Sequence, residues 1–215
     1  MKKKYRSYWR KTGLKGEWGD IFLSSILKYK PKNFLEIGVF CGVTARNVCD
    51  TLNTIYGDNF SYTGIDLFGG NKITTEDEIE PSFLKNQKFS NPLKNIYYNF
   101  LLRENLNSLE SVTKFLKKYE NNVNLVKGDT NSELRKMNLN NIDYVFIDGG
   151  HSYNTVLNDL SLLFDKLKGK KKILFCDDYG EEFRIKEVKS AVDDFVKSNK
   201  LKTNIIENRF AEIVT

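Results

Sequence analysis

The chain has 215 residues, 40% of them hydrophobic, 13% aromatic and 29% charged, which suits one domain with a buried core and an elaboration and excludes a disordered polar chain. Lys plus Arg is 34 against 28 Asp plus Glu, a formal net charge of +6, but the lysines are scattered along the chain, so nucleic acid is not an expected partner. No apolar run approaches the roughly 18 residues a membrane span needs, and the basic start MKKKYRSYWRK has no apolar stretch behind it, so neither a membrane contact nor a secretory leader is expected. The three cysteines, Cys41, Cys49 and Cys176, form no C-x-x-C pair, and a single histidine leaves a zinc site short of ligands. A reducing cytoplasm is the expected location.

In chain order, Lys2–Arg10 is expected to be a flexible basic start. Residues 1–30 form an N-terminal helical extension in which Trp18 opens an amphipathic helix. That helix is read as core, with closure over a ligand or a contact in a homo-oligomer as the alternatives. Asn33–Ile37 (NFLEI) reads as a strand ending at Gly38, and Val43–Tyr56 as a helix. Strands follow at Tyr62–Leu67, Val123–Val126 and Ile142–Asp148, then a helix at Tyr153–Leu167 with Val156, Leu160, Leu163, Phe164 and Leu167 on one stripe. Lys172–Cys176 is a further strand and Ile185–Ser198 a helix. Leu201–Glu207 and Phe210–Val214 close the chain as a hairpin across Asn208 and Arg209. An insert after the second strand, residues 69–121, is too long for a simple crossover. It carries an acidic patch (Thr75–Glu80), Pro81, Pro92 and a helix from about Leu106 to Tyr119, and fits a substrate lid.

Strands alternating with helices predict an α/β fold: a doubly wound, Rossmann-like, mostly parallel sheet with a C-terminal antiparallel hairpin. The near-continuous apolar runs YVFI and ILFC fit strands buried on both faces. Ligands of such sheets bind at the carboxyl ends of the strands. The residues there are Glu36 through Thr44, then Asp66 with Leu67, then Gly128-Asp129-Thr130, then Asp148-Gly-Gly-His151, then Asp177-Asp178. Acidic residues end every parallel strand of a net basic protein. Turn propensity explains any one of them but explains the row poorly.

The first loop departs from a dinucleotide fingerprint. Gly38 fills the first glycine position, but Phe40 holds the second and Val43 the third, so a pyrophosphate would meet side chains. Glu36 beside the turn is expected to repel anions. A cationic, phosphate-free ligand fits better, and S-adenosylmethionine (SAM) is one. Asp66 would accept from its ribose hydroxyls and Asp129 from its adenine amino group. Glu36, Gly38, Phe40, Gly42, Thr44, Leu67, Gly128, Thr130 and Asp148 complete the expected cofactor contacts.

The motifs FLEIGVFCG, YTGIDLF and VKGDT resemble those of class I SAM-dependent methyltransferases. FIDGGHSYNTVLNDL followed by ILFCDDY narrows the resemblance to a small-molecule subfamily that includes macrocin-type sugar O-methyltransferases and cephalosporin-hydroxylase-like proteins. It covers roughly Pro31–Asp66 and Val123–Tyr179, while the insert and the first 30 residues resemble nothing assigned. It implies a seven-stranded sheet and methyl transfer from SAM.

Asp148, Asp177 and Asp178 end two strands that are neighbours in this fold class, and carboxylates brought that close repel unless a cation joins them. Oxygen ligands suit Mg²⁺, Mn²⁺ or Ca²⁺, and the resemblance implies a divalent ion at these three positions. His151, with an ordinary pKa of about 6.5, is suited to accept a proton near neutral pH, and the resemblance implies the same role. Asp148 and His151 are thus the expected catalytic residues. Tyr153 and Asp159 continue the family pattern, and Asp159 is read as structural or supporting. The chain lacks the [ND]-P-P-[YF] signature of amino-methylating enzymes after the fourth strand, and no cysteine follows that strand. A small hydroxylated acceptor, sugar or glycoside-like, is therefore the leading expectation. Two alternatives stay open at this level: methylation of nucleic acid or protein, and a SAM- or nucleotide-binding module without transfer activity.

Overall fold

The structure, a computed structural model, describes residues 3–69, 82–167, 172–180 and 186–215, so the acidic patch Thr75–Glu80 lies outside it. The alternating apolar segments form seven strands: β1 (Asn33–Ile37), β2 (Ser61–Asp66), β3 (Val123–Lys127), β4 (Tyr144–Ile147), β5 (Ile173–Cys176), β6 (Lys202–Ile206) and β7 (Phe210–Val214). They pair in the order β3-β2-β1-β4-β5-β7-β6. β1 to β5 run parallel, and β7 pairs antiparallel with both β5 and β6. This is the sheet the sequence predicts. The winding direction reverses between β1 and β4, which opens a crevice at their carboxyl ends.

The helices are α1 (Gly16–Tyr29), α2 (Val43–Tyr56), α3 (Ser82–Asn86), α4 (Pro92–Asn95), α5 (Leu109–Phe115), α6 (Thr130–Lys136), α7 (Tyr153–Lys166) and α8 (Lys186–Ser198), with a π-helical turn at Ile96–Leu101. One sheet face is aromatic. Phe34, Tyr62, Tyr144, Phe146, Phe175 and Phe210 pack there beneath α1 and α2. The other face is aliphatic, and Leu35, Ile37, Val145, Ile147 and Leu174 meet α6, α7 and α8. Strands β4 and β5 are buried at every position, as their unbroken apolar runs require.

Two local expectations change, and one helix is added. The helix expected from Leu106 to Tyr119 is shorter, because the Ser108 hydroxyl accepts the Ser111 N–H and starts α5 only at Leu109. Helix α6 has little apolar periodicity to announce it. It begins where Asp129 accepts the Asn131 N–H at 2.8 Å. The basic start, over its described part, packs against α1 and α2 rather than standing free of the core. The Tyr5 ring fills a notch in α1 where a Cβ on Gly19 would lie 2.2 Å from Tyr5 Cγ. The Tyr5 N–H donates to Asp20 at 2.7 Å and the Arg6 N–H to Asn47 at 2.9 Å. Helix α1 itself buries Phe22, Leu23 and Ile26 and is a layer of the core.

The described part of the insert folds onto the loop that follows β1. Phe83, Phe89, Tyr98 and Leu106 cluster with Cys41, and the Phe40 ring meets Phe83 edge-on at 5.6 Å.

Candidate active site at the carboxyl ends of the strands

The turn after β1 is held in left-handed backbone. Gly38 has φ +87°, and a Cβ there would lie 1.9 Å from the Asp148 carbonyl oxygen. Only glycine lets the ends of β1 and β4 come this close. Phe40 has φ 53° without being glycine, a conformation that persists where the surroundings enforce it. The enforcing contact is Asp66 at the tip of β2. Its carboxylate accepts the Phe40 N–H at 2.8 Å and the Phe68 N–H at 2.6 Å. Burial pushes the Asp66 carboxyl up, and these donors pull it back. With the Val39 N–H as a further backbone donor, the carboxylate still keeps acceptor capacity for a ligand hydroxyl. Leu67 follows, half-buried. The Gly128 N–H bonds the Asp66 carbonyl at 3.0 Å, joining the second and third tips. Asp129 caps α6, and Thr130 is that helix's first residue. Gly42 caps α2 in left-handed backbone, and the Thr44 hydroxyl lies 2.8 Å from the Tyr5 hydroxyl.

Two of the expected charges behave differently. Glu36 is fully buried, and burial pushes its carboxyl up to about 8. The Tyr62 hydroxyl donates to Oε2, while Oε1 has no hydrogen-bond partner among the described residues. At neutral pH this side chain is mostly uncharged, so the anion repulsion expected of it is not a standing feature of the turn. Arg10 adds a charge the sequence did not flag. Its buried guanidinium donates to the carbonyls of Cys41 (2.9 Å) and Leu106 (3.0 Å) and to the Ser111 hydroxyl (2.8 Å). It lies 3.8 Å from Glu104 and over the Phe115 ring at 4.5 Å. One side chain thus ties the N-terminal segment, the loop after β1 and the insert together.

At the tips of β4 and β5 a small, open depression is lined by Asp148, Gly149, His151, Asp177 and Asp178 among others. One potential ligand atom from each of Asp148, His151 and Asp178 lies within 4.8 Å of the others. His151 Nε2 is 3.3 Å from Asp178 Oδ2. Asp178 has φ 57°, a left-handed conformation that Asp tolerates better than most residues. Burial, reinforced by the charges of Asp177 and Asp178, pushes the Asp148 carboxyl well above the usual carboxylate range. Asp177 is at the expected place but is engaged elsewhere. Arg209 donates Nε to its Oδ1 at 2.6 Å and a terminal nitrogen to its Oδ2 at 2.8 Å. Tyr153 points to α8, its hydroxyl donating to Asp194 at 2.9 Å, and Asp159 is buried in α7.

Tyr5, Arg10 and Arg209 escaped the sequence reading. Arg209 sits in what reads as a hairpin turn, and only the return of β7 beside β5 brings it to the cleft.

A family model described as a methyltransferase domain matches residues 35–179, from β1 to just past β5. The chain belongs to the methyltransferase-domain family. With the class I fold described above, it is a SAM-dependent methyltransferase, as the motif resemblance implies. No curated protein matches it significantly by sequence. Among solved structures it is similar to the O-methyltransferase NovP at 17% identity and TM-score 0.61, covering 89% of this chain and 75% of that one. It is similar to an O-methyltransferase from Bacillus cereus in complex with SAH at 9% identity and TM-score 0.60, covering 97% and 85%. It is also similar to TomG from Streptomyces achromogenes, an O-methyltransferase of tomaymycin synthesis in complex with SAM, at 11% identity and TM-score 0.57, covering 94% and 79%. At these identities the likeness establishes the fold. No helix among the described residues is long and apolar enough to cross a membrane.

Proposed function

We propose that this methyltransferase moves the methyl group of SAM to a hydroxyl oxygen of a small acceptor, sugar or glycoside-like, assisted by a divalent cation and by His151 as base. The observation that carries the reading is the convergence of Asp148 and His151 after β4 with Asp178 after β5, beside the place where the end of β4 packs on Gly38 of the turn after β1.

The residues present fit SAM. The turn offers a side chain, Phe40, where a pyrophosphate would need a glycine, and Asp66 has acceptor capacity to spare for a ribose. The unpartnered Glu36 Oε1 lies buried at the tip of β1, and a ligand cation held beside it would draw the carboxyl back toward its charged form. The donor set at the β4 and β5 tips fits a divalent ion: Asp148 and Asp178 are the carboxylates that would hold Mg²⁺, Mn²⁺ or Ca²⁺.

What SAM supplies when bound is a methyl group on an already activated leaving group. What the metal supplies is a lowered pKa and a fixed orientation for the acceptor hydroxyl. The protein's own contribution is alignment. Gly38 and Gly149 keep the floor of the crevice at backbone level. Phe40, in the loop after β1, meets the insert residue Phe83 edge-on, a contact that favours the lid reading of the insert. His151 takes and holds the acceptor proton, and the Asp178 carboxylate beside it stabilises the resulting imidazolium. The free, buried cysteines support a reducing, cytoplasmic setting.

Calorimetry with SAM, SAH and NAD tests the cofactor. Binding of SAM and SAH without NAD supports the reading, and a preference for NAD overturns it. Methyl transfer from labelled SAM to a panel of hydroxylated glycosides tests the reaction. Loss of turnover in His151→Ala and on chelation supports the base and the metal, and full turnover in both refutes them.

A further inference from the structure

The resemblance to metal-dependent sugar O-methyltransferases implies that Asp177 and Asp178 act alike, yet their surroundings differ. Asp177 is 4% exposed and both of its oxygens are occupied. The Arg209 fork takes one N–H···O contact on each, at 2.6 and 2.8 Å, and Oδ1 also accepts the Asp178 N–H at 2.8 Å. Arg209 is equally fixed. Its carbonyl accepts the Tyr179 N–H at 2.8 Å. Its guanidinium lies over the rings of Trp18 (5.5 Å) and Phe210 (5.4 Å). Asp178 stands only 3.8 Å from an Arg209 nitrogen, but its other oxygen faces His151.

We infer that Arg209 divides the acidic pair: it keeps Asp177 as its own counter-ion and leaves Asp178 with Asp148 for the divalent ion. The inference rests on the metal reading above and departs from it in the ligand set. A guanidinium does not lose its charge, and opening a buried, forked ion pair leaves two uncompensated charges. Asp177 is therefore not free to turn toward a metal. The fixed positive charge also neutralises one of three carboxylates. The two remaining negative charges match one divalent ion. Arg209 is in this sense a positioning residue: it sets how many carboxylates the ion receives and how tightly it is held.

Mn²⁺ binding to the full-length protein, followed by the loss of free-ion EPR signal, reads this directly and without turnover. Asp178→Asn weakens Mn²⁺ binding by about tenfold or more, the scale of a lost ligand or its support, whereas Asp177→Asn, which removes no ligand but leaves the Arg209 charge without its counter-ion, weakens it by no more than about threefold. Arg209→Gln, which removes the repulsion and frees Asp177, tightens binding by about tenfold, and adding Asp177→Asn cancels the gain. Equal losses in Asp177→Asn and Asp178→Asn overturn the division, as does unchanged or weaker binding in a folded Arg209→Gln. If Arg209→Gln does not fold by circular dichroism, the two Asn variants decide the matter alone, because the amide oxygen introduced by Asp177→Asn still offers Arg209 an acceptor. Absence of Mn²⁺ binding in the wild-type protein is a different failure. It removes the metal reading itself, and the division with it.

Discussion

Replacing Glu36 by Gln changes one buried proton and little else in volume. Burial raises the Glu36 carboxyl from its ordinary 4.5 to about 8 in the folded protein. Between those values the folded chain holds a proton that the unfolded chain has released. Stability therefore falls as pH rises, by about 1.4 kcal/mol per pH unit for a full proton. The contribution is fully present below pH 4.5 and is lost as pH passes through about 8. The loss over the whole window amounts to roughly 5 kcal/mol, of which roughly 3 kcal/mol has gone by pH 7. In Glu36→Gln the side-chain oxygen still accepts from Tyr62, and the titration is gone. The new amide brings buried donors that cost about 1–3 kcal/mol at every pH. The variant is thus the less stable protein near pH 5, and the gap closes or reverses toward pH 8. Urea denaturation in half-unit steps between pH 5 and 8.5, at constant m-value, reads the difference. Parallel curves for the two proteins would mean that Glu36 is ionised inside the fold, and would refute the account of the turn given above.

Gly38→Ala puts a methyl group against the Asp148 carbonyl in left-handed backbone. A loss of about 3 kcal/mol or more is expected in thermal melts, and a loss under about 1 kcal/mol would show that the β1 and β4 tips can separate cheaply. Arg10→Ala strands the Cys41 and Leu106 carbonyls. It should cost about 3–5 kcal/mol and weaken SAH binding in calorimetry, with Arg10→Lys restoring only part of either; unchanged SAH affinity would separate Arg10 from the cofactor loop. Phe22→Ala empties the space between α1 and the Phe146 ring, whose centroid is 4.4 Å away. Chemical denaturation should show a loss of about 3–5 kcal/mol, and a loss below about 1 kcal/mol would mean that α1 is not part of the core.

The strand tips were legible in the sequence because each is announced locally. An apolar run of strand length ends in Gly or Asp, and parallel topology sends all those ends to one edge. Asp148, His151, Asp177 and Asp178 were placed at that edge by this logic, with the resemblance implying their roles, and three of them, Asp148, His151 and Asp178, offer ligand atoms within 4.8 Å of one another. Helix α6 was not legible, because TNSELRK has too few apolar positions to show a period and depends on one capping side chain. The packing of Tyr5 was hidden for a related reason. Its partners Gly19, Asp20 and Thr44 mean nothing to it until α1 and α2 lie side by side.

By itself, then, the amino-acid sequence determined the winding of the sheet, the edge that carries the chemistry and the acidic character of that edge. Hydrophobic period and turn residues are properties of short stretches, and these features need nothing longer. Tertiary structure decided which acid does what. Asp177 and Asp178 are adjacent in the chain, but a hairpin that folds back 32 residues after Asp177 delivers the Arg209 fork to one and not to the other. Glu36 and Asp66 end neighbouring strands, but one is sealed against Tyr62 while the other is clasped by backbone N–H groups. Charge and proton affinity depend on solvent exclusion and on partners a few ångströms away, and those are set only when the layers close.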